Sequence, residues 1–155
     1  MPNWCMNNVT INGSKEKLEE IIKACEDDKF LEFLVPIGDW DYGSAIEAWG
    51  TKWEACDVDH DLLDDNTLML NFDSAWGPPV TAYNTGEANH DITIYATYYE
   101  PGMAFVGEYE DSEDSSYNID FEDESWMDEI PEHLSDHWGL YDEYESWKEW
   151  QDEEE

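Results

Sequence analysis

MNNVTINGSKEKLEEIIKAC, residues 6–25, changes its hydrophobic period once, and that change sets the fold class. Val9 and Ile11 alternate with Thr10 and Asn12, the two-residue period of a strand, which ends at Gly13. Ser14 then stands where a helix N-cap belongs. Beyond it Leu18, Ile21, Ile22 and Cys25 recur at helical spacing, with Lys15 and Glu19 as an i,i+4 pair. The same alphabet returns downstream. Asp65-Asn66 precedes a predicted strand over 67–72, and Pro78-Pro79 open a short helix. Ile92, Ile94, Ala96 and Tyr98 alternate with polar neighbours over 91–99, and a further strand over 103–110 follows the Pro101-Gly102 turn. Strands interleaved with helices predict an α+β fold.

The chain has 155 residues, the length of one domain. It carries 41 Asp and Glu against six Lys and no Arg, a formal net charge of −35. Phosphate contacts need Lys and Arg, so direct nucleic-acid binding is argued against, and an anionic membrane surface repels the chain too. A basic protein partner stays open. Disordered acidic chains are poor in aromatic residues, whereas this one has nine Trp and is 15% aromatic, enough to build a core. No apolar run reaches the roughly 18 residues of a membrane span, and the start MPNWCMNN lacks the features of a signal peptide. Cys5, Cys25 and Cys56 are odd in number and share no metal-ligand spacing, which reads as reduced thiols in a cytoplasmic protein.

The charge is unevenly spread. Residues 1–107 hold 20 acids and five Lys; residues 108–155 hold 21 acids and Lys148 alone. The division expected is a core over 1–107 and an acidic extension over 108–155 that packs on it. In the extension Phe105, Gly107 and Tyr109 alternate with Glu108 and Glu110, and Tyr117, Ile119 and Phe121 alternate with Asp120 and Glu122. This predicts a hairpin with one aromatic and one carboxylate face, joined by a turn holding Asp111, Glu113 and Asp114. Ser125 and Asp128 are spaced as a capping box. Ile130, Leu134, Trp138, Tyr141, Tyr144, Trp147 and Trp150 then form a helical stripe with Gly139 as a break, and residues 152–155 are expected to fray. Glu132, Asp136, Asp142, Glu143, Glu145 and Glu149 occupy the other sides of that helix. Over about 30 Å this is one net charge per ~6 Å, against one per ~1.7 Å in duplex DNA. Only the helix and hairpin faces together approach the charge density of nucleic acid.

Four ordered blocks resemble a known family: MPNWCMNNVTING at 1–13, WGTKWEACDV at 49–58, FDSAWGPP at 72–79 and YYEPGMAFVG at 98–107. They are similar to the YubB ferredoxin-like family of bacteriophages, prophages and plasmids, over residues 1–110. The chain departs from the family wording at Ser74, where Thr is usual, and at Gly77, where Ser is usual. The resemblance implies a ferredoxin-like sandwich with a βαββαβ core. It implies no catalytic residues, and the acidic extension lies beyond it.

Two candidate sites follow. The first is the carboxylate surface: Glu108, Glu110, Asp111, Glu113, Asp114, Asp120, Glu122 and the six acids of the terminal helix. It suits a phage-encoded, non-catalytic inhibitor that mimics nucleic acid and blocks the basic channel of a host nuclease, helicase or restriction or CRISPR-type complex. Salt adaptation is a competing explanation of the same composition. The second is an aromatic pocket of Trp49, Lys52, Trp53, Trp76 and Glu100, in which Lys52 pairs with Glu100; it suits a ligand-binding or scaffolding module. A core signature is the competing reading of those same residues. No nucleophile stands with a base and an orienting group, and no cofactor motif is present. Asp57, Asp59 and Asp61 open like a calcium loop, but Leu62 and Leu68 occupy the positions that need Gly and Glu. His133 and His137 have zinc-like i,i+4 spacing without a general-base Glu between them.

Overall fold

The computed structural model describes residues 3–154. Met1, Pro2, Glu155 and the side chains of 152–154, and with them the expected fraying of 152–155, lie outside the described residues. The elements are β1 (Trp4–Asn12), α1 (Lys15–Glu26), α2 (Phe30–Leu34), α3 (Tyr42–Trp49), β2 (Cys56–Asp64), β3 (Thr67–Ala75), α4 (Val80–His90), β4 (Thr93–Glu100), β5 (Phe105–Glu110), β6 (Glu113–Asn118), α5 (Trp126–Glu129), α6 (Glu132–Trp138) and α7 (Leu140–Glu154). One antiparallel sheet of six strands takes the order β2-β3-β1-β4-β5-β6, so the fold is α+β.

β1 is central because its alternation serves both faces. Val9 and Ile11 point into a core with Leu68, Leu70, Phe72, Ile94 and Ala96 from the neighbouring strands. Leu18, Ile21 and Cys25 of α1, Phe30, Leu31 and Leu34 of α2, Trp49 of α3 and Tyr83 of α4 cover that face. Ser14 caps α1 as its position predicts, its hydroxyl accepting from the Lys17 N–H at 3.2 Å. Glu54 closes the open end of α2, accepting from the Leu31 and Glu32 N–H groups at 2.5 and 3.0 Å. Burial pushes the Glu54 carboxyl above its ordinary range.

The extension builds a second core on the opposite face. Met6, Tyr99, Val106 and Tyr117 share that face by register, and Trp126, Ile130, Leu134, Leu140 and Tyr144 pack on it. The boundary at 107/108 falls inside β5, so the acidic segment begins as sheet and returns as helices.

Four local expectations are corrected. The hairpin turn is the two-residue Asp111-Ser112, both at positive φ (51° and 65°), which sets Glu113 opposite Glu110 and ends β6 at Asn118. Asp120 and Glu122 therefore leave the strand, and Ile119 and Phe121 turn into the second core. Ser125 is itself helical and makes no side-chain cap. The break at Gly139 (φ 65°) is real, but it rotates the stripe: Leu140 is buried, while Tyr141 and Trp150 are exposed. β2, α2 and α3 were not anticipated. Gly107 is where a β-carbon cannot go, because one built there falls on the Tyr98 phenol and the Ser115 carbonyl.

Two outcomes follow. Gly107→Ala should destabilise by about 1–3 kcal/mol through overpacking, read as a lower urea midpoint at unchanged m. Thermal stability should rise with added salt and as pH falls from 7 toward 5. Salt screens the self-repulsion of the −35 charge. Burial raises the folded-state carboxyls of Glu54 and Asp73, so their contribution is present at low pH and is lost as pH rises through those raised values. A Tm that falls along both series contradicts this.

Candidate functional site

The carboxylate surface divides into acids that hold the extension on and acids that face water. Glu108 of β5 is three-quarters covered and accepts from the Tyr95 hydroxyl at 2.9 Å, while His133 of α6 lies 2.6 Å from the same oxygen. It joins sheet to helix. Asp114 of β6 accepts from the Tyr98 hydroxyl, and Glu143 of α7 accepts from Tyr99. A fourth phenol, Tyr109, donates to Glu87 of α4. Burial first, then donation to the carboxylate, pushes Tyr95 up to about 12 and Tyr98, Tyr99 and Tyr109 further in the same direction. All four hydroxyls keep their protons and act as donors. Glu108, Asp114 and Glu143 thus bond to the sheet, although Asp114 and Glu143 are exposed as well.

The other ten expected acids are exposed: Glu110, Asp111, Glu113, Asp120, Glu122, Glu132, Asp136, Asp142, Glu145 and Glu149. Among the described residues none has a Lys or His within ion-pair distance. Lys148 lies over the Tyr144 ring at 5.3 Å instead. Gly139 also changes the geometry, since the charges stand on two helices, α6 and α7, rather than along one rod of about 30 Å.

Sequence reading missed an acidic continuation. Asp57, Asp59 and Asp73 line a groove of about 280 Å³ with Met6, Asn71 and Trp138 of α6. The run that mimics a calcium loop is an edge strand, with Asp59 and Asp61 paired to Asn71 and Met69 of β3. It has no buried face, and Leu62 and Leu63 follow one another exposed, so no apolar alternation marked the strand. Burial and the neighbouring Asp57 raise the Asp73 carboxyl.

The aromatic pocket is reassembled. Trp49 is core, its indole N–H donating to the Val35 carbonyl at 2.9 Å. Glu100 is fully buried, accepting from the Met103 N–H, and no ion pair joins it to Lys52. Lys52, Trp53 and Trp76 do come together, with the Lys52 ammonium 4.2 Å from the Trp53 ring centre and 6.0 Å from that of Trp76. Tyr42 and Ile46 of α3 complete the cleft. Cys5 and Cys25 are buried, and burial pushes both thiols up, Cys25 to about 12, so neither is a ready nucleophile. His133 and His137 diverge: the first meets Glu108, the second stacks edge-on against Trp138.

No protein-family model matches the chain, and no curated protein does. Among solved structures the chain is similar to the protein api92 from Yersinia pseudotuberculosis, placed in the family model DUF1281, at 23% identity and a TM-score of 0.41. That likeness covers 51% of this chain and 30% of the other.

Glu108→Ala should leave the Tyr95 hydroxyl unpartnered and cost about 1–2 kcal/mol. Amide exchange should accelerate in α6 before it does in β1, and uniform acceleration across both would show that Glu108 is no joint.

Proposed function

We propose that the chain is a phage-encoded, non-catalytic inhibitor that presents carboxylates in place of nucleic-acid phosphates to the basic channel of a host nuclease, helicase or restriction or CRISPR-type complex. One observation carries the reading: ten exposed carboxylates without cationic partners stand on an extension fixed by its own aromatic core. A merely solvated acidic tail needs no such core. Trp126, Leu134 and Tyr144 hold the charges in place before a partner arrives, which lowers the ordering cost of binding. The partner's Lys and Arg then exchange counterions for carboxylates, as they do on phosphates.

The core reads as ferredoxin-like, a member of the family that the four sequence blocks resemble. The order β1-α1-β2-β3-α4-β4, with α2 and α3 inserted before β2 and with β3 and β4 flanking β1, supports that reading. The inhibitor acts in the host cytoplasm. Consistent with this, no helix among the described residues is long and apolar enough to cross a membrane.

The test is capture from bacterial lysate on the immobilised protein, with elution by duplex DNA. A nucleic-acid-handling protein released by DNA is the expected result, with affinity falling at least about tenfold between 50 and 200 mM salt. Glu110, Glu113, Asp136, Asp142, Glu145 and Glu149 changed together to Gln should weaken capture by a comparable factor without unfolding the chain, since all six are exposed. Capture that survives the six changes, or that DNA does not reverse, overturns the proposal.

A further inference from the structure

The cleft beside Lys52 is built at a junction. α3 ends at Gly50, whose φ of 83° closes the helix, and the chain then runs through Thr51–Trp53 alongside the turn between β3 and α4. Thr51 ties the two segments together, its hydroxyl donating to the Ala75 carbonyl at 2.9 Å. Trp40 fixes the outer side through its indole N–H, which donates to the Lys52 carbonyl at 2.7 Å. The space enclosed is about 310 Å³, bounded by Tyr42, Ile46, Lys52, Trp76 and the backbone of Gly50 and Gly77.

Three features of this cleft lie outside both cores. Trp40, Tyr42 and Trp76 are 55%, 59% and 46% exposed, so their rings contribute little to either core. Trp76 has a φ of 70° at the centre of a three-residue turn closed by the Gly77 N–H on the Ala75 carbonyl, a strained position for a bulky side chain. Lys52 is half-buried between two indoles and, among the described residues, has no carboxylate within 4 Å, in a chain with 41 acids. Strain and exposed aromatic surface are kept where they serve recognition.

We infer that this cleft binds a small planar aromatic anion, its ring stacked against Trp76 and Tyr42 and its anionic group on the Lys52 ammonium. The volume suits one aromatic ring system with a short charged arm, at the small end of ligand sites. The Lys52 ammonium supplies the charge complement, and the faces of Trp53 and Trp76 hold it in position. A phosphate and a carboxylate both satisfy that cation. This site is independent of the inhibitor reading, because none of its residues lies in the extension.

Binding is tested by calorimetry and by the indole N–H resonances of the full chain. Adenosine 5′-monophosphate and indole-3-acetate serve as probes, with adenosine and ribose 5-phosphate as controls. The expected result is saturable binding of one or both anionic aromatics, with shifts at Trp76, Trp53 and Trp40, and binding at least tenfold weaker for either control. Which probe binds separates a phosphate from a carboxylate ligand. Lys52→Met should remove the advantage of the anionic probes over adenosine. Trp76→Gly should abolish binding while keeping or raising Tm, since Gly accepts the positive φ that strains Trp. Absence of saturation by both probes at millimolar concentration overturns the inference, as does unchanged affinity in a folded Trp76→Gly variant. The six extension changes should leave this binding intact, so its failure and that of the inhibitor reading are told apart.

Discussion

Phenol-to-carboxylate hydrogen bonds are the interaction on which this molecule depends. A chain without arginine and with six lysines cannot neutralise 41 acids by pairing them, yet acids near the sheet still need donors. Tyr95, Tyr98, Tyr99 and Tyr109 supply them to Glu108, Asp114, Glu143 and Glu87. Backbone N–H groups do the same for Glu54 and Glu32. A neutral donor satisfies a carboxylate while leaving its charge in place. The fold is thereby held together without reducing its negative field, which an arginine at any of those positions would have done.

The arrangement also explains why one sheet carries two cores. The first face is closed by α1 to α4. Over β4 to β6 the reverse side is apolar at Tyr99, Val106 and Tyr117, and the extension is the layer that covers it. Four buried polar atoms lie under or within that layer without protein partners: the Thr97 hydroxyl, the Ser135 hydroxyl and the indole nitrogens of Trp126 and Trp138. A fifth, the Glu100 Oε1 carboxylate oxygen, is buried at the end of β4 on the other side of the strand. Glu108, held by Tyr95 and beside His133, is where α6 of the extension is fastened to the sheet.

How far the sequence was legible follows from the same physics. β1 and α1 each set an apolar face against a more polar one, and the Ile94-Ala96 alternation opens β4, so their periods were readable; α4 carries no such period and was marked only by Pro78-Pro79. β2 was not readable, because as an edge strand it buries almost nothing, and Asp57, Asp59 and Asp61 offered only the opening of a calcium loop that the following residues do not complete. The terminal stripe was readable in kind but not in phase, since the rotation at Gly139 is a backbone event that exchanges Tyr141 for Leu140. Glu108, Asp114 and Glu143 looked like surface acids, because nothing in a linear pattern tells a carboxylate facing water from one facing a tyrosine across a strand pair. Trp49 and Trp53 show the same limit: four residues apart in one motif, one is core and the other is exposed beneath the Lys52 ammonium.

The two charge effects in this chain respond to salt with opposite signs. Unpaired carboxylates on a rigid support repel one another in the free protein, and screening relieves that cost. On the proposed reading a basic partner would relieve it more completely, since each cation it brought would neutralise a group held near its neighbours by the fold. Part of the binding free energy would then be stored in the free molecule as self-repulsion, and raising ionic strength would stabilise the protein and weaken that complex at once. An acidic surface kept only for solubility shares the first response and lacks the second, because it has no bound state in which the repulsion is discharged.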